Sequence, residues 1–435
     1  MGGNNVSVDR SNNFASYIKE VCSFIKFKEA HKEISLELST HLEEIYDESI
    51  EKGLPEEDAL NNAVNRMGTP FEVGKQLNLA HKGTPDWITL VLTLVLVNIG
   101  VILMYFIKGN NLAHDSDYIF SKSLIYAFIG TILIIVLYFF DYRKIEKYSK
   151  YIFVGTLIIT SVLTNITHSS HIANVRLITV IIPYILIISL AGIFNSLDWN
   201  EKINLVKAFA LLIIPVVLMI ENSSTSSALI YCIGFLVLSI SSKIKISYVI
   251  LITAASGLPF AILMLMKPYR LMRLLSFINP SSDPLGNSYV NNQINNIVNS
   301  AGLLGKGFSF PNNPLPEVHT EFILSYILYS LGWIGIILLI TLIAAFIIRV
   351  ISITKLVNHT YGKLLIEGIV TIISVQFILN ILMNFNLMPL IGMSMPFISY
   401  SSTLGILNMM SVGLILSVHR RRSLTPNYNK TTKKA

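Results

Sequence analysis

The chain has 435 residues, of which 52% are hydrophobic and 14% charged, and its mean hydropathy is +0.60. Soluble proteins carry about 25% charged residues, so the composition excludes an ordinary soluble enzyme and points to a polytopic membrane protein. The net charge of +7 is divided: residues 1–85 hold 9 Lys/Arg against 14 Asp/Glu, and the remainder holds 24 against 12. An acidic head is thus joined to a basic body, whose cations are read as a headgroup signal rather than a nucleic-acid footprint. Cys22 and Cys232 supply neither a disulfide framework nor a metal site. The polar start of the chain lacks the apolar run of a signal peptide.

Residues 12–80 read as a compact helical domain. Ile34, Leu36, Leu38, Leu42 and Ile45 recur at near-helical spacing within 31–52, with acids on the other face. Gly53 ends that helix, and Pro55-Glu56-Glu57-Asp58 opens the next with Pro and acids in its first turn. Asn65-Arg66-Met67-Gly68 stops it. Thr69-Pro70-Phe71-Glu72 then has the form of an N-cap, Pro at N1 and a capping-box Glu. Residues 28–82 resemble the small helical prefix domain (HAAS-like) that precedes the spans of bacterial permease and signalling proteins. The resemblance implies docking or regulation, and a bundle that only aids insertion is the alternative.

Ten hydrophobic segments follow, near 87–107, 122–140, 151–167, 177–195, 208–220, 228–241, 247–266, 321–348, 364–385 and 402–418. Several fall short of the roughly 20 residues a span needs, and the fifth and sixth are the weakest. They are read as kinked at Pro215, as extending into their flanks, or as a re-entrant pair. Lysines and arginines concentrate in alternate loops (143–150, 202–207, 243–245, 349–363 and 420–422), which places both termini in the cytoplasm. The expected fold is therefore all-α, a polytopic membrane helix bundle of about ten transmembrane helices. A soluble helical domain (1–85) precedes the transmembrane body (86–422), and a basic cytoplasmic tail (423–435) ends it. Between helices 7 and 8 lies a long extracytoplasmic loop (267–320), rich in Gly, Pro and Asn, with Lys267, Arg270, Arg273 and Lys306 on the side where cations are unexpected.

The second half carries a family resemblance. Asn279-Pro280, Asp283-Pro284-Leu285-Gly286, Tyr289, Gln293 and Gly302-Leu303-Leu304-Gly305-Lys306-Gly307 are similar to the NPxxDPxGxGYQxxQS…GxxGxG loop of the SEDS family (FtsW, RodA and SpoVE). Leu315-Pro316-Glu317 with His319-Thr320-Glu321-Phe322 resembles its LPExHTDF signature, and Ser330 to Gly335 its ELGFIG. Gln376, Asn380, Met388-Pro389, Gly392 and Pro396-Phe397-Ile398-Ser399-Tyr400 resemble QxxxN…LPxTGxxLPFISYGG. The resemblance covers 87–422. It implies a peptidoglycan glycosyltransferase that polymerises lipid II in the bacterial cell membrane for division, elongation or sporulation, beside a class B penicillin-binding protein.

The resemblance makes Asp283 the catalytic residue. A carboxylate suits a base that takes the proton of the attacking hydroxyl, and an Asx-turn is its structural alternative. Lys306 is the candidate contact to the diphosphate or pentapeptide, with simple loop solubility as the alternative. Arg270 and Arg273 share a helix face and are candidates for the diphosphate or for lipid headgroups. Gln293, Glu317, His319, Glu321, Ser399 and Tyr400 complete the candidate substrate-binding set. Capping of the eighth span is the plainer reading of the two glutamates, hydrogen bonding that of His319, and packing of a broken-helix turn that of Ser399 and Tyr400. No metal-ligand motif occurs; no cofactor is firmly implied, and a divalent cation, Mg or Mn, stays open. The pattern departs from the family where 170–184 lacks a carboxylate and a lysine, where Glu221 to Ser227 replaces PDLGT, and at Ser288, Val290, Ser401 and Ser402. Two other functions stay open, a flippase for the lipid-linked precursor and a non-catalytic scaffold of a cell-wall complex.

Overall fold

In a computed structural model, the residues described are 3–80, 83–110, 112–113, 115–169, 175–199, 201–222, 224–265, 268–279, 286, 288–309 and 315–422. They are helices and turns, in two compact units. It is an all-α polytopic membrane protein.

The first unit comprises 1–85 together with 357–359 and the residues from 419 on. Its helices are α1 (Gly3–Ser23), α2 (His31–Glu51), α3 (Glu56–Met67) and α4 (Pro70–Ala80). Ile34, Leu38, Leu42 and Tyr46, four residues apart, form the buried face of α2 and meet Tyr17, Val21, Ala59 and Ala63. Leu36, counted above in the apolar stripe, is off that face and 53% exposed. Thr69 caps α4: its hydroxyl accepts from the Glu72 N–H (3.3 Å) and donates to the Glu72 carboxylate (2.9 Å). The residues after the last long helix belong here too. The Arg421 guanidinium, 1% exposed, pairs with both carboxylate oxygens of Glu29, and Arg420 lies 5.4 Å from the Phe27 ring centroid. Asn358 donates its N–H to the Arg422 carbonyl at 3.3 Å.

Among the described residues, the second unit holds ten long helices and two short ones. In order they are α5 (Trp87–Gly109), α6 (Ser116–Phe139), α7 (Arg143–Ser169), α8 (Val175–Ser196), α9 (Lys202–Glu221), α10 (Thr225–Ser241), α11 (Ile246–Leu265), α12 (Pro268–Ile278), α13 (Tyr289–Ser300), α14 (Ile323–Thr354), α15 (Thr360–Asn384) and α16 (Ser402–Arg420). Among the described residues, α5, α6, α9, α14, α15 and α16 are long and apolar enough to cross a membrane. The fifth segment extends into its N-terminal flank to give the 20 residues of α9, with Pro215 inside it, whereas the sixth gives an α10 of 17 residues. The 267–320 connection is not one long loop, since α12 and α13 occupy much of it.

The most enclosed element is α15, which packs against α8, α10 and α14. Gln376, Asn380 and Asn384 lie four apart on it and are all buried. Gln376 donates to the Tyr184 hydroxyl (2.6 Å), which donates to Asn408 (2.6 Å), tying α15 to α8 and α16. Away from water, such amides must find protein partners, and these do. At the start of α5, Asp86 accepts from the Thr89 N–H (3.1 Å) and takes both guanidinium nitrogens of Arg349 on α14, with Nε 3.1 Å from each oxygen. Burial opposes ionisation there, but the hydrogen bonds from Arg349 and Thr89 outweigh it and hold the Asp86 carboxyl down at about 2.

One helix is broken. In α14, Gly332 has φ 68°, ψ −165°. An intact helix would pair the N–H groups of Trp333 and Ile334 with the carbonyls of Tyr329 and Ser330. Instead the Gly302–Gly307 segment enters the gap. The Gly302 and Leu303 carbonyls take the N–H groups of Trp333 and Ile334, both at 3.2 Å. The N–H groups of Lys306 and Gly307 serve the carbonyls of Tyr329 (2.8 Å) and Ser330 (3.1 Å). Four groups freed by the break are thus satisfied by one loop.

Candidate active site

The site grows from the turn that precedes α14. Leu315, Val318 and Phe322 are buried, which turns the intervening Glu317, His319 and Glu321 away from the apolar side. Glu317 adopts φ 52°, and its carbonyl accepts from the N–H groups of Thr320 (3.0 Å), Glu321 (3.1 Å) and Phe322 (3.3 Å). The expectation that Glu317 and Glu321 share the first turns of the eighth span is therefore corrected. Both stand in the turn ahead of α14, which begins at Ile323.

The 388–400 segment is joined to this turn by its backbone. Tyr400 donates its N–H to the His319 carbonyl (2.8 Å), and the Ser399 hydroxyl donates to the Thr320 carbonyl (2.6 Å) while accepting from the Met395 N–H (2.9 Å). The amides of α15 hold the other side. Asn380 and Asn384 each donate to the Glu321 carbonyl at 3.0 Å, and Asn384 accepts from the Ser325 N–H and hydroxyl. Sequence reading noted Asn380 only as a motif letter and missed Asn384. The signal was present in the four-residue spacing of amides within an apolar span.

The chemistry of this cluster is set by burial. Burial raises the Glu321 carboxyl above its usual range; the neighbouring Glu317 charge adds to the rise and Arg273 opposes it. Its side chain lies against Gly392, where a Cβ would come within 3.1 Å of Oε1. Burial lowers His319, with Glu317 pulling the other way from 3.8 Å. Burial, with Tyr126 and Tyr118 nearby, raises Tyr400 to about 12. At neutral pH the cluster thus offers a carboxyl with a strengthened hold on its proton, a neutral imidazole and a neutral phenol. Beside it, Gly100, Met104, Ser123, Tyr126, Tyr400 and Gly405 line a cleft of about 50 Å³. That space is far below the roughly 300 Å³ at which ligand pockets begin.

The other expected residues divide. Arg273 is exposed on α12 and donates to the Leu390 carbonyl at 3.3 Å, which brings a cation to the cluster. Arg270, one turn earlier, is buried, donates to the Ile220 carbonyl at the end of α9 (2.7 Å) and to the Tyr269 hydroxyl (2.9 Å). A cation at a helix C-terminus is well placed for the dipole, so the two arginines have different surroundings despite their shared spacing. Gln293 is half-buried on α13. Lys306 is exposed at the α14 break, its ammonium 5.6 Å from the Tyr329 ring centroid. Asp283 lies outside the described residues. Among those residues, no three His, Cys, Asp or Glu side chains are grouped to hold a metal ion.

Comparison with known proteins places this arrangement. Residues 86–424 match the model of the FtsW/RodA/SpoVE family, described as cell cycle protein. Escherichia coli K12 peptidoglycan glycosyltransferase MrdB is 29% identical over 223 residues, 50% of this chain and 60% of that protein. Bacillus subtilis stage V sporulation protein E is 35% identical over 164 residues, 37% of this chain and 45% of that protein. The chain thus spans less than two thirds of the length of these relatives. In three dimensions it resembles a chain of a peptidoglycan synthase complex that coordinates polymerization and crosslinking (TM-score 0.62, 19% identity), covering 78% of this chain and 98% of that one. It also resembles the Thermus thermophilus rod shape determining protein RodA (TM-score 0.57, 16% identity), with the same coverage.

Proposed function

Since the chain belongs to the SEDS family of FtsW, RodA and SpoVE, a family of multi-pass bacterial membrane proteins, we propose that it polymerises lipid II into glycan strands as an inverting glycosyltransferase. The observation that carries this reading is the continuous family match over 86–424, which includes the Asp283-Pro284 motif. In support, the HTEF turn and the PFISY segment, both motifs of that resemblance, meet through the Tyr400–His319 and Ser399–Thr320 hydrogen bonds.

In this reaction the hydroxyl of one sugar attacks the anomeric carbon of another, the bond from that carbon to the lipid diphosphate breaks, and the hydroxyl proton goes to a base. Asp283 is that base. Arg273 and Lys306 offset the charge of the departing diphosphate, since both are exposed cations on elements next to the motif loop. Glu321, in the turn ahead of α14, holds its proton more tightly than usual and is a second acid–base group. Both termini face the cytoplasm, by the distribution of Lys and Arg among the loops. A class B penicillin-binding protein is the partner, in line with the crosslinking named for the structural neighbour.

Glycan formation from fluorescent lipid II tests the proposal, using purified protein alone and with candidate transpeptidases. Asp283→Asn is expected to lower the rate by a factor of about 100 or more, the scale of a lost general base. Full activity in that variant would sink the role of Asp283. A scaffold is the second reading, favoured by the missing carboxylate and lysine in 170–184. It predicts no product from folded protein in any pairing.

A further inference from the structure

The break in α14 is more than a bend. It opens two helical hydrogen bonds, and the Gly302–Gly307 segment fills them with backbone groups alone. Such a fit demands that two backbone segments approach at van der Waals limits. A Cβ on Gly305 would lie 2.5 Å from the Ser330 carbonyl carbon and 2.6 Å from the Gly332 nitrogen. A Cβ on Gly332 would lie 2.5 Å from the Gly302 carbonyl oxygen. Both residues also have positive φ, 73° and 68°. Space and conformation therefore both require glycine at each position.

What this interlock carries is Lys306. Its N–H is one of the four inserted groups, so its backbone is fixed to Tyr329, and its ammonium sits over that same residue's ring. The chain beyond it is held as well. The Phe308 carbonyl accepts from the Tyr326 hydroxyl (3.0 Å) and the Asn110 amide (3.1 Å), and the Phe308 ring stacks on Phe106. A lysine on a free loop must have its backbone as well as its side chain ordered when it binds. Here one exposed cation stands on a backbone held from both sides.

We infer that Gly305 and Gly332 are positioning residues: the backbone interlock between Gly302–Gly307 and the α14 break sets the place of the Lys306 ammonium for the diphosphate of a lipid-linked substrate. The inference rests on the glycosyltransferase reading for its substrate, and on the interlock itself for everything else. Neither glycine touches substrate; each acts through Lys306.

The test measures steady-state polymerisation of lipid II and, separately, binding of undecaprenyl diphosphate in detergent micelles, for full-length wild type, Lys306→Gln, Gly305→Ala, Tyr329→Leu and the Gly305→Ala/Lys306→Gln double variant. Lys306→Gln is expected to raise KM about tenfold, the worth of one charge-assisted hydrogen bond, and to move kcat less. Gly305→Ala and Tyr329→Leu should raise KM in the same direction. The double variant should be no worse than Lys306→Gln alone, because both changes act on one contact. Losses that add in the double variant, or an unchanged KM in both Gly305→Ala and Tyr329→Leu, would overturn the inference. If Gly305→Ala is not monodisperse, Gly307→Ala replaces it, since a Cβ there meets nothing within 4 Å although φ is 84°. Should wild type make no glycan, the binding arm decides alone. Undecaprenyl diphosphate bound about tenfold more weakly by the variants would keep the interlock while the enzyme reading falls; equal binding by all of them would overturn it.

Discussion

Asp86 and Glu321 show how one chemical group, the carboxyl, takes opposite characters from its surroundings. Asp86 is 4% exposed, yet its carboxyl stays near 2 because Arg349 and Thr89 hydrogen-bond its charged form. A folded-state value below the unfolded one adds stability above the ordinary carboxylate range, and that stability is lost as pH falls from about 4 through about 2. Asp86→Asn leaves Arg349 without its counter-ion and is expected to cost about 2–3 kcal/mol, below the full range for a buried pair because Arg349 is partly exposed. Arg349→Lys should not preserve the difference, since a lysine lacks the forked donor. Denaturant titration of the purified protein at pH 7 measures both. Glu321 has the opposite sign. Its raised value favours the folded state below the ordinary glutamate range, and that advantage disappears as pH rises through the folded-state value. Glu321→Gln should therefore raise the melting temperature relative to wild type at pH 8 and make little difference at pH 4.5. Equal shifts at both pH values would refute the burial argument. Neither character was legible from the residues themselves, because Asp86 and Arg349 are 263 positions apart and no local pattern joins them.

Among the elements, what was legible depended on how local the cause was. The cap at Thr69, the acids opening α3 and the apolar character of the ten hydrophobic segments are written in contiguous sequence, and each has its counterpart among the described helices. The α14 break is not local. Gly332 in an apolar run looks like a packing glycine, and only the arrival of Gly302–Gly307 makes it a joint. The turn at Glu317 likewise lies where a helix start was expected, because its three N–H acceptor bonds and its link to Tyr400 come from the folded arrangement. Of the candidate site, Arg273, Glu317, His319, Glu321, Ser399 and Tyr400 are gathered by two turns, whereas Arg270 is spent on the end of α9. The amide face of α15 offers a check on this element. Asn384→Leu removes the acceptor of Ser325 and one donor to Glu321, and is expected to cost about 1–2 kcal/mol, the upper range for hydrogen bonds between membrane helices. Ser325→Ala should cost about 0.6 kcal/mol, and the double variant less than their sum. Unfolding in mixed micelles is the measurement.

At the scale of the whole molecule, the acidic head and the basic end of the chain, distinguished above only by charge count, meet within one unit. Arg421 is 1% exposed and depends on Glu29 for its counter-charge. Glu29→Gln is expected to destabilise that unit by about 3 kcal/mol, the lower end for an orphaned buried charge, whereas adding Arg421→Met should recover part of the loss because the charge goes as well. Limited proteolysis of 1–80 in the full-length protein reads the effect; equal protection of wild type and Glu29→Gln would show that the pair contributes nothing.

That unit is drawn from chain positions 1–85, 357–359 and 419 onward, and synthesis runs from the first to the last. Residues 1–85 of that unit are therefore made before the whole of 86–418, and Arg421 reaches them only afterwards. Until then Glu29 and Phe27 have no guanidinium against them. A chain that stops early, or fails to deliver its last helix, keeps an unfinished head that proteases can recognise.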